Sequence, residues 1–252
     1  MHRVLDPKRR NQISAGLCAL AIMTKAPRAG AVKTRLQPPL TSAEAAKLNI
    51  CFLRDIGATI SEAGEYSKGV GVFTPARSEK EYADILPPDF DLLPQRGDGF
   101  GERLSNATAD LLQVGFESCC LINSDSPTAT ADAFREAVAQ LQSADDRIVI
   151  GPSDDGGYYL IGMRKLHRRL FQEIDWSTNR VFAQTVERAS EIGLEVHVLP
   201  SSFDVDDRVA LQRLCDELLG ENLPAAPATK KFLADTISRE GRERIWPLRR
   251  FV

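Results

Sequence analysis

The residues with the clearest chemical character follow the first apolar run, in TKAPRAGAVKTRL at positions 24–36. This stretch has no acid and four cations, Lys25, Arg28, Lys33 and Arg35. A turn at Gly30 can point backbone N–H groups at an anion, and an arginine fork matches two phosphate oxygens. The sequence therefore predicts a phosphate-binding loop, with a solvated basic surface as the alternative. Its candidate ligands are Lys25, Gly30, Lys33 and Arg35, while Arg28 is assigned to the surface.

The loop is not a Walker A motif. That motif requires glycine directly before Lys-Ser or Lys-Thr, whereas Val32 precedes Lys33 and Thr34 here. Any phosphate binding must therefore use another loop geometry.

Two acidic stretches could hold a metal ion. Asp125 lies in NSDSP (123–127) and Asp206 in FDVDD (203–207). Hard cations such as Mg²⁺ and Mn²⁺ prefer oxygen ligands, and a carboxylate after a strand can hold one against a diphosphate. Asp204 and Asp206 share one side of an extended segment, so either could complete a site with Asp125. The alternative for both stretches is a helix cap or an Asx turn.

A third acidic stretch, GPSDDGGYY (151–159), is suited to a second substrate. Asp154 or Asp155 could orient or deprotonate an acceptor hydroxyl group. Gly156 and Gly157 would let the backbone approach that ligand closely. The alternative is a hairpin turn, because Asp-Gly is a strong turn signal, and both interpretations can hold together.

A glycine-rich stretch, QRGDGFGERL (95–104), is a further candidate. Its glycines do not have the G-x-G-x-x-G spacing of a dinucleotide fold. With Gly97 in the loop and Arg103 on the following helix, it could close over a nucleotide.

Short apolar runs alternate with amphipathic helical patterns. The runs are 17–23, 69–74, 119–123, 147–151, 158–163 and 194–199. Thr41 and Glu44 form a capping box before the first helical stripe. The alternation predicts a three-layer α/β/α sandwich with an open, mostly parallel sheet. Only six residues separate 147–151 from 158–163, too few for a parallel crossover, which predicts a hairpin or an antiparallel insertion and hence a mixed sheet.

Composition narrows the class of protein. The chain of 252 residues, 43% of them hydrophobic, can bury one substantial core. We predict a polar extension at 1–15, one main domain at 16–222 and a linker with a tail at 223–252. The formal net charge of −3 argues against nucleic-acid binding through a broad basic face.

Cysteine use and hydropathy predict a cytoplasmic location. The five cysteines are odd in number and contain no C-x-x-C pair, which indicates free, buried thiols in a reducing compartment. The first apolar run is too short for a signal-peptide core, and no run reaches the length of a membrane helix.

Together these motifs resemble a family of bacterial glycosyltransferase-like proteins among the nucleotide-diphospho-sugar transferases, of the type associated with arsenosugar biosynthesis. The motifs that carry the resemblance are KAPRAGAVKTRL, QRGDGFGERL, NSDSP, GPSDDGGYYLIGM, DWST and FDVDD. The family is similar to the GT-A fold, which implies an open mixed sheet with a nucleotide at its carboxyl edge. One departure is Ser124-Asp125-Ser126, which has a single acid where GT-A enzymes often have D-x-D.

The resemblance also implies roles for individual residues. The nucleotide-phosphate loop would contain Lys25, Lys33 and Arg35. Asp125 and Asp206 would hold Mg²⁺ or Mn²⁺. The loop facing the second substrate would contain Asp155, Gly156, Gly157 and Tyr158.

Three functions remain open from the sequence. The first is metal-dependent glycosyl transfer from a nucleotide sugar to a small acceptor, with Asp125 on the metal and Asp155 as the acceptor's base. The second is nucleotidyl transfer from an NTP to a phosphorylated small molecule, with release of pyrophosphate. The third is a nucleotide-binding module without catalysis.

Overall fold

The computed structural model describes residues 1–10, 12–142 and 145–247. Its strands are β1 (Arg3–Val4), β2 (Cys18–Lys25), β3 (Ser67–Thr74), β4 (Asp91–Pro94), β5 (Ser118–Ile122), β6 (Arg147–Pro152), β7 (Tyr158–Met163) and β8 (Glu195–Val198). Its α-helices are α1 (Ser42–Ser61), α2 (Phe100–Val114), α3 (Ala131–Gln142), α4 (Val181–Glu191), α5 (Arg208–Cys215) and α6 (Pro227–Glu240). Short 3₁₀ and π turns lie between several of them.

The eight strands form one mixed sheet in the order β1-β4-β3-β2-β5-β7-β6-β8. β7 runs antiparallel to both of its neighbours, β5 and β6, and the remaining pairs are parallel. The five-residue connection between β6 and β7 explains this, because only an antiparallel return fits that length. The predicted three-layer sandwich and mixed sheet are therefore confirmed.

Alternating residues of β2 show how the layers form. Leu20 and Ile22 pack on one face of the sheet against the apolar sides of α1 and α3. Ala19 and Ala21 point to the other face, toward α2 and α4. Successive side chains of a strand face opposite ways, so a strand covered on both sides is apolar throughout.

The predicted start of α1 is also confirmed. The Thr41 side chain accepts a hydrogen bond from the Glu44 backbone N–H, and the Glu44 side chain accepts one from the Thr41 backbone. This capping box satisfies donors that the first turn of a helix would otherwise leave unpaired.

Both ends of the described chain pack on the central domain. Residues 3–4, within the segment predicted as an extension, form an edge strand beside β4, and Arg3 makes an ion pair of 2.5 Å with Asp91. α6 begins at Pro227, within the segment predicted as a linker, and packs on α1. Buried Asp55 of α1 accepts hydrogen bonds from the backbone N–H groups of Ala228 and Thr229, which satisfies the amino end of α6.

The five cysteines are free thiols, as predicted, and all except Cys51 are fully buried. No α-helix in the described ranges is long and apolar enough to cross a membrane.

Candidate active site

The candidate site lies where the direction of the sheet's connections reverses. β2 has β3 on one side and β5 on the other. From β2 the chain crosses through α1 to β3, whereas from β5 it crosses through α3 toward β6 on the opposite side. The loops after β2 and β5 therefore diverge and leave a crevice at the carboxyl edge, the usual ligand site of open α/β sheets.

Lys33 lies at the centre of this crevice between two acids. Its Nζ is 2.7 Å from Asp125 Oδ1 and 3.0 Å from Asp206 Oδ1. It also donates a hydrogen bond of 2.9 Å to the backbone oxygen of Val205. The Lys33 side chain is only 4% exposed, compared with 30% for Asp125 and 46% for Asp206.

Electrostatics keep Lys33 charged despite its burial. Burial alone would lower the pKa of Lys33, but the carboxylates of Asp125 and Asp206 outweigh that effect and raise it above its ordinary value. The ring centroid of Phe52 lies 5.3 Å from Nζ and adds a favourable cation–π contact.

The segment after β8 carries Asp206 from the far edge of the sheet to this point. Ser202 forms an isolated parallel bridge with Ser153 beyond the end of β6. The Val205 N–H then donates a hydrogen bond of 2.9 Å to the backbone oxygen of Asp125. The buried side chain of Val205 anchors the turn in the cluster formed with α1 and α5. Asp207 caps α5 by accepting from the Ala210 N–H, the role that the capping interpretation assigned to it.

Asp204 fastens the same segment to the loop after β5. Its Oδ1 accepts hydrogen bonds of 2.6 Å from Asn123 Nδ2 and 2.5 Å from Ser126 Oγ. Burial raises the pKa of Asp204 to about 6, and the nearby charge of Asp125 acts in the same direction. Asp204 thus holds the two acidic stretches together, while Asp206 reaches Lys33.

The crevice contains two chambers that share a wall formed by Arg35, Ser124, Asp125, Ser177 and Asp206. The first, here called the basic chamber, has a volume of about 350 Å³ and is also lined by Lys25, residues 31–34 and Asn49. Arg35 and Lys25 are exposed there, and no other residue that the structure describes pairs with them. Asn49 is 3% exposed, and its Oδ1 has no hydrogen-bond partner in the described ranges.

The second chamber, here called the apolar chamber, has a volume of about 390 Å³. Its apolar lining comes from Met23, Leu104, Leu121, Ile122, Tyr158, Tyr159, Val181, Phe100 and Trp176. Phe100 is half-exposed, and its ring meets Trp176 edge to face with 5.0 Å between ring centroids. The charged residues that line this chamber beyond the shared wall are the acids Asp155 and Asp204.

The structure separates the two adjacent acids of the β6–β7 loop. Asp154 is bound by Arg213 of α5 at 2.6 Å. Asp155 lines the apolar chamber, where its Oδ1 accepts a hydrogen bond of 2.9 Å from the Gly157 N–H. Asp155 is therefore the acid of this pair that faces the apolar chamber.

Gly157 and Tyr158 line the apolar chamber, whereas Gly156 packs beside it, and the acceptor-binding role of all three stays a prediction. Gly156 has φ +88°, and a Cβ atom there would lie 2.2 Å from the backbone oxygen of Asn179. Its own oxygen accepts a hydrogen bond from the Phe182 N–H. Gly156 therefore lets the β6–β7 loop touch the segment before α4, which supplies Trp176 and Ser177 to the crevice.

Several predicted residues lie outside both chambers. Gly30 forms an exposed turn with φ +76° and does not line either space. Arg103 donates to the backbone oxygens of Gly97 and Asp98, so it closes its own loop. Arg28 forms an exposed ion pair with Glu81. The roles proposed for Gly30, Gly97 and Arg103 in nucleotide binding remain predictions.

Sequence reasoning missed the aromatic pair, the Ser177 segment and Asn49. Trp176 and Ser177 lie in DWST, which carried the resemblance without any assigned role. Ser177 has φ +64°, a left-handed conformation that is uncommon for serine and that often marks a functional turn. Phe100 lies within the glycine-rich stretch, in which only Gly97 and Arg103 were assigned roles.

The donor set fits a divalent cation that arrives with a phosphorylated ligand. The described residues contain no group of three or more His, Cys, Asp or Glu side chains able to hold a metal alone. Asp125 and Asp206 each give Oδ1 to Lys33, and the described residues form no hydrogen bond to either Oδ2. Mg²⁺ commonly binds through one or two carboxylates plus substrate phosphates and water, which matches this arrangement.

Comparisons with known proteins agree with this architecture. Residues 63–178 match the model of a family described as an uncharacterized protein conserved in bacteria, DUF2064. The chain is similar to a "putative nucleotide-diphospho-sugar transferase" from Desulfovibrio desulfuricans G20, with 28% identity, a TM-score of 0.79 and coverage of 90% of this chain and 99% of that one. The fold is thus that of the nucleotide-diphospho-sugar transferases, as predicted.

More distant solved structures share the fold. A nucleotidyl transferase from Methanothermobacter matches with a TM-score of 0.55 at 14% identity, over 83% of this chain and all of that one. A CMP:2-keto-3-deoxy-manno-octonic acid synthetase complexed with CTP matches with a TM-score of 0.52 at 10% identity, over 82% of this chain and all of that one. A comparison with curated proteins found no match.

Proposed function

We propose that this chain is a transferase that uses a nucleotide-activated donor and moves a sugar from a nucleotide sugar to a small acceptor. One observation carries the proposal: Arg35 and Lys25, which pair with no other residue in the described ranges, share the basic chamber with the carboxylate of Asp125. A purely basic pocket would suit phosphate alone, and a purely acidic one would suit a cation alone. The mixture suits a diphosphate bound together with its metal ion.

In this proposal Arg35 and Lys25 bind the donor's diphosphate and stabilise the negative charge that develops on it as it leaves. Asp125 and Asp206 would hold Mg²⁺ or Mn²⁺, which supplies Lewis-acid stabilisation of the leaving diphosphate.

Asp155 acts on the acceptor from the apolar chamber. Its carboxylate accepts the proton of the acceptor hydroxyl group while that oxygen forms a bond to the donor's anomeric carbon. The bond from this carbon to the diphosphate oxygen breaks, and the nucleoside diphosphate leaves with the electron pair. The hydrogen bond from Gly157 fixes Asp155 in place for this transfer.

The charge of the apolar chamber supports glycosyl over nucleotidyl transfer. The nucleotidyl alternative requires a phosphorylated acceptor, and an anion in this chamber would meet Asp155 and Asp204 with no additional cation. A neutral hydroxyl acceptor meets no such repulsion. The similarity to the Desulfovibrio protein, at 28% identity, also supports a nucleotide-sugar donor. The arsenosugar-associated subtype remains a prediction.

A thermal-shift screen of nucleotides and nucleotide sugars, with and without Mn²⁺, finds the donor first, because a ligand of the native state raises its apparent stability. Turnover assays with small hydroxyl acceptors then identify the product. We expect wild type to release a nucleoside diphosphate from a nucleotide sugar. This activity should be lost in Asp125→Asn and retained in Asp154→Asn. Pyrophosphate released from an NTP would instead establish nucleotidyl transfer. Binding without turnover across broad panels would indicate a non-catalytic module.

A further inference from the structure

Lys33 differs from the other cations of its loop because its ammonium group is fully engaged inside the protein. Three oxygens lie within 3.0 Å of Nζ, from Asp125, Asp206 and the Val205 backbone. An ammonium group has three N–H donors, so this environment leaves none for a ligand. Arg35, two residues later, is exposed on the shared wall of the two chambers.

The fold builds this inward orientation. Lys33 has φ 50° and ψ 39°, a left-handed conformation that residues other than glycine seldom adopt. Phe52, on the buried side of α1, lies against the ammonium group. The side chain thus lies inside the protein between two acids, and the backbone accepts a strained conformation to place it there.

The position of Lys33 affects any free divalent cation. A metal ion on Oδ2 of Asp125 and Asp206 would lie close to an ammonium group that already neutralises one of their two charges. Repulsion between the two cations therefore weakens metal binding when no anion is present. A diphosphate reverses this balance because it adds negative charge and further oxygen ligands.

We propose that Lys33 is a positioning residue, an internal counter-ion that holds Asp125 and Asp206 together and keeps this pair closed to a free divalent cation until a diphosphate binds. The role of the diphosphate rests on the function proposed above. The role of Lys33 between the two acids rests on the geometry alone and can be tested without a substrate.

The first experiment titrates Mn²⁺ into the full chain without nucleotide and follows free Mn²⁺ by electron paramagnetic resonance. Wild type should bind Mn²⁺ weakly, and Lys33→Met should bind it at least about tenfold more tightly, a coupling of ordinary size between two sites. Lys33→Arg keeps the charge and should stay close to wild type. The matched control is Lys231→Met, which removes an exposed lysine paired with Asp235 on α6.

Thermal melting provides the second readout. Lys33→Met should melt below wild type and regain stability in Mn²⁺, because the metal replaces the missing counter-ion, whereas Lys231→Met should show no such rescue. Equal Mn²⁺ affinity in folded Lys33→Met and wild type would overturn the proposal. If the variant does not fold even in Mn²⁺, the wild-type titration decides: saturation below about 0.1 mM overturns the proposal, and weaker binding supports it.

A third measurement tests the role of the diphosphate in wild type, with methylenediphosphonate as the probe. Mn²⁺ and the diphosphonate together should raise the melting temperature by more than the sum of their separate shifts. If the two shifts in melting temperature are strictly additive, the diphosphate does not promote metal binding and its proposed role is overturned. A chain that does not bind the diphosphonate contradicts the proposed function, while the comparison of Lys33→Met with wild type still decides the role of Lys33.

Discussion

The basic and apolar chambers share one wall and have similar volumes, but their linings differ in polarity and charge. The basic chamber offers Lys25 and Arg35, which pair with no other described residue, and its wall is mostly polar. The apolar chamber offers aromatic and aliphatic surfaces, and beyond the shared wall its charged residues are acids. Two adjoining spaces of similar volume therefore favour different ligands, a polyanion in one and an uncharged molecule with apolar surface in the other.

This difference follows from the loops that line each chamber. The loop after β2 supplies the basic chamber and contains no acid. The β6–β7 loop supplies Asp155 and Gly157 to the wall of the apolar chamber, and the segment before α4 supplies Ser177, Thr178 and Asn179. Because the shared acids lie between the two spaces, the transfer proposed above would take place beside Asp125 and Asp206. Variants of residues that line one chamber or the shared wall, compared with matched controls outside both, test this division.

The largest expected effect is on the chemistry of the apolar chamber. In Asp155→Asn the side chain can no longer accept a proton, so kcat should fall by a factor of about 10² to 10⁴. Donor binding, measured by thermal shift, should remain close to wild type because Asp155 is not part of the basic chamber. Asp154→Asn is the matched control, since Asp154 is paired with Arg213 at the surface. Equal losses of kcat in both variants would contradict the division.

The next effect is on the basic chamber. Hydrogen bonds to a charged group contribute about 1.5–3 kcal/mol, so Arg35→Ala should weaken donor binding roughly tenfold to a hundredfold. Calorimetric titration with the donor measures this change. Arg28→Ala, which removes an exposed arginine paired with Glu81, should leave donor affinity unchanged. If the two variants behave alike, Arg35 does not bind the diphosphate.

The sequence was sufficient to predict which strand ends contribute to the site. Apolar runs followed by polar stretches give both the strand and its carboxyl end, and open α/β sheets bring those ends to one edge. Asp125 and Asp206 are 81 residues apart, yet both contact Lys33, while their assignment to a metal site stays a prediction. The β6–β7 pairing was predictable for a similar reason, because the length of the connection excludes a crossover.

The orientation of individual side chains was not predictable. Lys33 and Arg35 are similar residues in one loop, and only the left-handed backbone at Lys33 turns the first inward while the second stays exposed. Phe100 and Trp176 meet through tertiary packing across 76 positions of sequence. β1 has two residues and β4 has four, ending in proline, too short for a periodic pattern to show.

A smaller effect should appear in the connection between the two sides of the apolar chamber. Gly156→Ala places a Cβ atom against the Asn179 backbone, at a positive φ. We expect a loss of about 2 kcal/mol of unfolding free energy, or roughly 4–8 °C in melting temperature, from strain and overpacking. The loop before α4 should shift with it, so acceptor KM should rise while donor affinity is preserved.

Gly193→Ala separates crowding from backbone strain. Gly193 also has a positive φ, +68°, but a Cβ atom there meets nothing within 4 Å. Its replacement should lower the unfolding free energy only by the cost of the backbone conformation, about 1 kcal/mol, and should leave acceptor KM unchanged. If Gly193→Ala raises KM as much as Gly156→Ala does, loss of general stability explains both results, and the contact with Asn179 has no special role.

The smallest effect lies outside both chambers and provides a reference for changes in stability alone. Glu44 caps α1 and is bound by Arg244 and by the Thr41 backbone. Burial would raise the pKa of Glu44, but these hydrogen bonds outweigh it and lower the pKa to about 2. Because the folded-state pKa lies below the unfolded value, the stabilisation is complete above about pH 4.3 and is lost as the pH falls toward 2.

Glu44→Gln should therefore destabilise the protein at pH 7 by about 1 kcal/mol, a value reduced for solvent screening of a pair at the surface. Melting curves from pH 7 to pH 2.5 should show the difference from wild type shrinking as the pH falls. Glu62→Gln removes an exposed glutamate at the carboxyl end of the same helix and serves as the comparison. Donor affinity and acceptor KM should match wild type in both variants. A change in either constant in Glu44→Gln would mean that stability and ligand binding are coupled through α1, which also carries Asn49 and Phe52 to the site.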